Sequence, residues 1–234
     1  MGDEFGGDKK MPMTTWLAPL ERRLIDAWTP RFPAWIEGWH LTLMTLVWSA
    51  GVLGFDYLAA RTGNLHWLWG TSAMLAAQWF TDCFDGALGR YRDFGIPKWG
   101  FFMDHLLDYV FLCALLVGYS FLLDDVGHKQ IVYTLIPIFG AFMVSAYLAF
   151  GATGQFKITY LGTGPTEMRI AFIVFNAVLT LFGTAWILPV LPYILGGSVV
   201  LLCIVVFRTQ KYIWRQDMAD KRARTGQTPS DPGH

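Results

Sequence analysis

Six apolar stretches alternate with short polar or glycine-rich breaks along this 234-residue chain. Each is close to the roughly 20 residues that a helix needs to cross a bilayer. They lie near 40–60, 65–85, 100–123, 130–150, 168–188 and 191–209. Only the segment around Pro189 and Pro192 separates the last two, so these can also be read as one kinked helix. The pattern predicts an all-α membrane protein with six transmembrane helices.

A different pattern precedes the first apolar stretch. Large apolar residues recur there every four positions, at Trp16, Leu20, Leu24 and Trp28. With charged residues between them, this spacing predicts an amphipathic helix on the membrane surface. The predicted organisation is a disordered tail (1–12), an amphipathic surface helix (13–36), a six-helix transmembrane catalytic domain (37–210) and a polar C-terminal tail (211–234).

Composition supports the membrane class. Charged residues make up 15% of the chain and hydrophobic residues 54%, whereas soluble domains are about 25% charged. The formal net charge is zero, so nothing indicates a nucleic-acid partner. The three cysteines lie far apart without the spacing of a zinc site.

The distribution of basic residues predicts the orientation. With six spans, 16 of the 18 Lys and Arg residues fall on one side, and only Arg61 and Lys129 fall on the other. By the positive-inside rule the first side is cytoplasmic. Five spans would place the basic C-terminal tail outside, so the asymmetry favours six spans with both termini in the cytoplasm.

The candidate chemistry lies at the cytoplasmic ends of the second and third spans. Four aspartates occur within 27 residues, at Asp82, Asp85, Asp104 and Asp108. Spacings of three and four place each pair on one face of a helix. Clustered carboxylates suit Mg²⁺ or Mn²⁺, and a bound cation would offset their mutual repulsion. In the alternative interpretation the aspartates are only structural and form ion pairs with Arg90, Arg92 and Lys98. The regular spacing of all four aspartates disfavours this interpretation.

The pattern also resembles a family signature. Asp82-x-x-Asp85-Gly86-x-x-Gly89-Arg90, followed by Gly100-x-x-x-Asp104-x-x-x-Asp108, is similar to the motif of the CDP-alcohol phosphatidyltransferases. Gly89 stands where that family usually has Ala, which is a conservative departure. The resemblance covers about an eighth of the chain. It implies an integral membrane enzyme of phospholipid synthesis that releases CMP from a CDP-alcohol.

The resemblance also implies residue roles. The metal would be held by Asp82, Asp85 and Asp104, with Asp108 as the general base that also touches the metal. The CDP diphosphate would be bound by Asp82, Gly86, Gly89 and Arg90. The absence of a Cβ at Gly86 lets a nucleotide approach the backbone, and small residues at Gly89 and Gly100 would let the two spans pack closely.

Weaker signals lie outside this motif. The loop and helix start on the same side suggest an acceptor pocket lined by His105, Lys157, Thr166, Glu167 and Arg169. For Glu167 and its neighbours the alternative is an ordinary helix start. Asn176, inside the fifth apolar stretch, is predicted to form a hydrogen bond to a neighbouring helix.

The donor and acceptor stay open at this point. CDP-diacylglycerol could donate to a polar alcohol, as is commoner among compact members. Alternatively CDP-choline or CDP-ethanolamine could donate to diacylglycerol, because the order Asp104-His105-x-x-Asp108 resembles that of the eukaryotic choline and ethanolamine phosphotransferases. The chain has the size of the compact prokaryotic members, which implies a prokaryotic inner membrane, and the resemblance leaves a homodimer open.

A function from another class is a divalent-cation transporter that uses the carboxylates as its pathway. Transport sites usually lie near the bilayer midplane on broken helices. These aspartates instead occupy helix ends on one side, so the enzyme is favoured.

Overall fold

A computed structural model describes residues 17–94, 96–154 and 164–225, and all regular structure within these ranges is helical. Seven α-helices follow one another along the chain: α1 Ala18–Trp28, α2 Gly38–Thr62, α3 Leu68–Tyr91, α4 Pro97–Phe121, α5 Val126–Thr153, α6 Pro165–Phe182 and α7 Leu191–Thr225. Short 3₁₀ turns precede α2 and α3, at Thr29–Arg31 and Leu65–Trp67. The predicted all-α class is confirmed for the described residues.

Five of these helices are long and apolar enough to cross a membrane, namely α2, α4, α5, α6 and α7. The remaining long helix, α3, has 24 residues but carries Gln78, Asp82, Asp85 and Arg90 along its length. Its composition alone therefore does not identify it as a span. The chain is a multi-pass membrane protein, and the sixth span stays a prediction.

Two helix ends differ from the sequence prediction. Helix α6 ends at Phe182, before the expected 188, because the chain turns at Gly183 with a φ of 78°. Helix α7 continues to Thr225, although a polar tail was expected from 211. In its polar part acids stand four residues before bases, Asp217 before Lys221 and Asp220 before Arg224, a spacing that favours a helix.

The amphipathic segment forms the short helix α1, and its apolar residues do not share one environment. Leu24 and Ile25 pack against the buried Phe84 and Leu88 of α3. Leu20 and Trp28 are exposed, whereas Trp16 lies outside the described residues. One part of the predicted apolar face therefore packs against the protein itself. The placement of α1 on a membrane surface stays a prediction.

Helix α2 is central to the packing of the two helices that carry the aspartate motif. It packs extensively against both α3 and α4, whereas α3 and α4 meet each other at few positions. The expectation that the two motif helices form a tightly packed pair is therefore wrong. A Cβ at Gly89 or Gly100 would meet nothing within 4 Å, so these small residues border open space between the helices.

The close approach occurs instead where α2 begins. A Cβ at Gly38 would lie 2.4 Å from the backbone oxygen of Asp85 and 3.2 Å from the nitrogen of Gly89. Both of these atoms belong to the backbone of α3, which cannot move aside as the end of a side chain could. Gly38 therefore sets how closely α2 approaches the aspartate motif.

We expect Gly38→Ala to destabilise the protein by about 1–3 kcal/mol, because overpacking forces the two backbones apart. The measurement is the thermal unfolding midpoint in detergent. Gly54→Ala is the matched control, since a Cβ at this site of the same helix meets nothing within 4 Å. Equal midpoints for the two variants would contradict the argument.

Polar side chains join the helices away from the motif. The Tyr119 hydroxyl donates to Oδ1 of Asn176 at 2.7 Å, and Nδ2 of Asn176 donates to Oγ of Ser72 at 3.1 Å. Asn176 is fully buried, so its predicted bond to neighbouring helices is confirmed. The Thr180 hydroxyl donates to the carbonyl oxygen of Leu65 at 3.2 Å, which places the end of α6 at the turn between α2 and α3.

Candidate active site at the aspartate motif

Three carboxylates from the motif come together. Asp82 of α3 and Asp104 and Asp108 of α4 each offer an oxygen, and these atoms lie within 4.8 Å of one another. All three residues are partly buried. A group of carboxylate oxygens at this spacing, within reach of solvent, has the ligand chemistry that Mg²⁺ or Mn²⁺ prefers. We call this group the aspartate triad.

The fourth aspartate has a different environment. Oδ2 of Asp85 accepts a hydrogen bond from the Thr42 hydroxyl of α2 at 2.8 Å, and Asp85 is not among the three grouped carboxylates. This contact follows from the close approach of α2 at Gly38. The role of Asp85 as a metal ligand stays a prediction, while its place beside the triad is clear from its position one turn after Asp82.

A cavity of about 290 Å³ opens beside the triad, between the start of α2, the end of α3 and the start of α4. Three of the four residues predicted to bind CDP, Gly86, Gly89 and Arg90, line this cavity, whereas Asp82 does not. Its lining includes Asp85, Gly86, Gly89, Arg90, Gly100, Asp104 and His105. Gly89 and Gly100 therefore border this space and not a helix contact.

Arg90 and Arg92 have separate surroundings. A terminal nitrogen of Arg90 lies 3.3 Å from the position that a Cβ of Gly86 would take, so the guanidinium stands at the cavity wall. Arg92 donates instead to the carbonyl oxygens of Phe32, Pro33, Ala34 and Ile36. It therefore holds the segment between α1 and α2. Within the described ranges, no ion pair joins the four aspartates to Arg90, Arg92 or Lys98.

The arginine that does reach the triad comes from α6. One terminal nitrogen of Arg169 lies 2.9 Å from Oδ2 of Asp82, and the other lies 3.3 Å from Oδ1 of Asp108. Its side chain is only 11% exposed. Arg169 was predicted to line an acceptor pocket, and the structure brings it directly to the carboxylates.

Gln78 is a site residue that the sequence analysis missed. Its Nε2 donates to Oδ1 of Asp108 at 3.0 Å, and the residue is almost fully buried. The available signal was a polar residue one turn before Asp82 on an otherwise apolar helix. Gln78 and Arg169 together hold one oxygen of the carboxylate that is predicted to be the general base.

The other predicted pocket residues divide into two groups. His105 lines the cavity, with Nδ1 2.6 Å from the carbonyl oxygen of Phe101 and 3.6 Å from Asp104. Glu167 accepts a hydrogen bond from the backbone of Gly164 at 3.0 Å, as in an ordinary helix start. Thr166 binds Glu21 of α1. Lys157 lies outside the described residues.

One comparison with known proteins identifies the family of the chain. A comparison with curated proteins gave no match. The family model for CDP-alcohol phosphatidyltransferase matches residues 39–210, which is most of the 234-residue chain and includes the triad and all the cavity-lining residues except Gly38. The chain therefore belongs to the CDP-alcohol phosphatidyltransferase family.

Proposed function

We propose that this protein transfers a substituted phosphate group from a CDP-alcohol to an acceptor alcohol and releases CMP. The family supports a transferase of phospholipid biosynthesis. The observation that carries the proposal is the aspartate triad, whose oxygens lie within 4.8 Å of one another. Asp104 of the triad lines a cavity together with Gly86, Gly89 and Arg90, three of the predicted CDP-binding residues.

The triad would hold a divalent cation through Asp82, Asp104 and Asp108, with Asp85 at its edge. A divalent cation held there, Mg²⁺ or Mn²⁺, would supply charge neutralisation for the diphosphate and polarisation of the phosphorus that is attacked. Arg90 would bind a phosphate oxygen through its planar guanidinium. The backbone at Gly86 and Gly89 leaves room in the cavity for the nucleotide.

Asp108 would act as the general base. The acceptor hydroxyl transfers its proton to the carboxylate as its oxygen forms a bond to the β-phosphorus of the donor. The bond from that phosphorus to the CMP oxygen breaks, and CMP leaves with the electron pair. Hydrogen bonds from Gln78 and Arg169 to Oδ1 of Asp108 orient the carboxylate for this transfer.

Two donor and acceptor pairings are compatible with the site. In one, CDP-diacylglycerol donates to glycerol phosphate, inositol phosphate or serine. In the other, CDP-choline or CDP-ethanolamine donates to diacylglycerol, and the position of His105 in the cavity wall is the feature that supports this pairing.

The proposal includes a membrane topology. Six spans place both termini and the triad on the cytoplasmic side, in the inner membrane of a prokaryotic cell, and α1 would lie in the interface. The bond from Thr180 to Leu65 supports this arrangement, since it puts the end of α6 opposite the triad. A homodimer is compatible with the proposal.

The testing experiment is CMP release by the full-length protein in lipid with Mg²⁺. CDP-diacylglycerol is supplied with each polar alcohol, and CDP-choline and CDP-ethanolamine are supplied with diacylglycerol. We expect release from one pairing only. No release from any pairing, together with no binding of a cytidine nucleotide, would contradict the enzyme and favour cation transport.

A further inference from the structure

Glu21 of the surface helix α1 makes two side-chain contacts with the bundle. The Cys83 thiol of α3 donates to Oε1 of Glu21 at 3.4 Å. The Thr166 hydroxyl of α6 donates to Oε2 at 2.9 Å. A single carboxylate thus connects three helices, and its two partners are separated by 83 positions in the sequence.

These contacts are part of a closed series of interactions that joins α1, α6 and α3 at the site, which we call the circuit. Thr166 lies in the first turn of α6 and precedes Arg169 by three residues, less than one helical turn. Arg169 pairs with Asp82 of α3 at 2.9 Å, and Asp82 is the chain neighbour of Cys83. The circuit returns to α1 through the contact between Cys83 and Glu21.

The circuit matters because α6 approaches the triad from a side that the cavity does not use. The lining of the cavity comes from α2, α3, α4 and their connections, with no residue of α6 among the described ones. Arg169 therefore reaches Asp82 and Asp108 without lining the cavity. Its position depends on where the first turn of α6 sits relative to α3.

We propose that Glu21 is a positioning residue that sets the first turn of α6 against α3 and thereby places Arg169 for binding of the acceptor alcohol. This inference rests on the proposed transferase function. Glu21 itself does not touch the triad, and it acts through Thr166 and Cys83. Small displacements of a positioned group have large effects on a reaction, since about 1 Å can cost 10²-fold in rate.

The variants are Glu21→Ala, Glu21→Gln and Asp26→Asn. Glutamine keeps a carbonyl oxygen that can accept from the Thr166 hydroxyl, whereas alanine removes both contacts. Asp26 is the matched control, because it is an exposed acid on the same helix. We expect Glu21→Ala to raise the acceptor KM about 10-fold, in line with a lost hydrogen bond to a charged group. The donor KM should change less than about twofold.

Hydrogen exchange supplies a second measurement on the same proteins without substrate. We expect faster exchange of the amides at 166–170 in Glu21→Ala, with wild-type exchange there in Glu21→Gln and Asp26→Asn. Exchange in α4 and α5 should stay unchanged in all three variants.

Several outcomes would overturn the inference. An acceptor KM in Glu21→Ala equal to that of the wild-type protein would overturn it. Equal increases of the acceptor KM in Glu21→Ala and Asp26→Asn would also overturn it. A rise in both KM values with faster exchange throughout the bundle would make Glu21 a general stability residue. If the wild-type protein releases no CMP, the transferase function fails, and the exchange experiment alone still decides whether Glu21 holds α6.

Discussion

Asp108→Asn is expected to reduce CMP release by about 10²–10⁴-fold, the usual contribution of a general base. Asparagine has the same size and keeps an oxygen that can accept from Gln78 and Arg169, so the fold should persist. It cannot take the proton of an alcohol. The measurement is CMP release at saturating substrate and Mg²⁺, beside the thermal unfolding midpoint.

The matched control is Asp124→Asn, which removes an exposed aspartate at the turn between α4 and α5. We expect Asp124→Asn to release CMP at the wild-type rate. Since Asp108 also belongs to the triad, the Mg²⁺ dependence must be measured in both variants. Recovery of the Asp108→Asn activity at high Mg²⁺ would show a ligand role and contradict the general base.

Removal of the metal ion is expected to have the second large effect on activity. Chelation with EDTA should abolish CMP release, and added Mg²⁺ or Mn²⁺ should restore it. Asp104→Asn should weaken Mn²⁺ binding by at least about 10-fold, because even residues that only orient a metal ligand contribute 10–100-fold to affinity. Calorimetric titration of the protein in detergent measures this directly.

Calorimetry separates metal binding from activity. Asp124→Asn should bind Mn²⁺ as the wild-type protein does, which excludes a general effect of lost negative charge. Full activity in EDTA, or unchanged Mn²⁺ affinity in Asp104→Asn, would contradict a metal site at the triad.

The aspartate positions show how far the sequence leads. Spacings of three and four residues predict carboxylates that share a helix face, and the structure places three of the four in one group. The pattern does not reveal that Asp85 bonds to Thr42 of α2, since helical periodicity specifies a face and not its partner. For the same reason Gln78 and the role of Gly38 were missed.

The prediction of a close pair of motif helices was wrong for a physical reason. Consecutive helices joined by a short connection usually pack as neighbours, and small residues such as Gly89 and Gly100 favour close packing. Here both motif helices pack mainly against α2, and the glycines border the cavity. Small residues permit either a helix contact or an open space, and the distinction requires the third helix.

The sequence by itself determined the membrane class, the helical content and the residues of the aspartate motif, because hydrophobic length and residue spacing are local properties of the chain. Only the tertiary structure decided that Arg169, 61 residues beyond Asp108, pairs with the triad and that Glu21 of α1 accepts a hydrogen bond from Thr166 of the helix that carries it. Such contacts depend on how separate helices dock. Docking is decided by the shape and polarity of whole faces, which no single spacing in the sequence records.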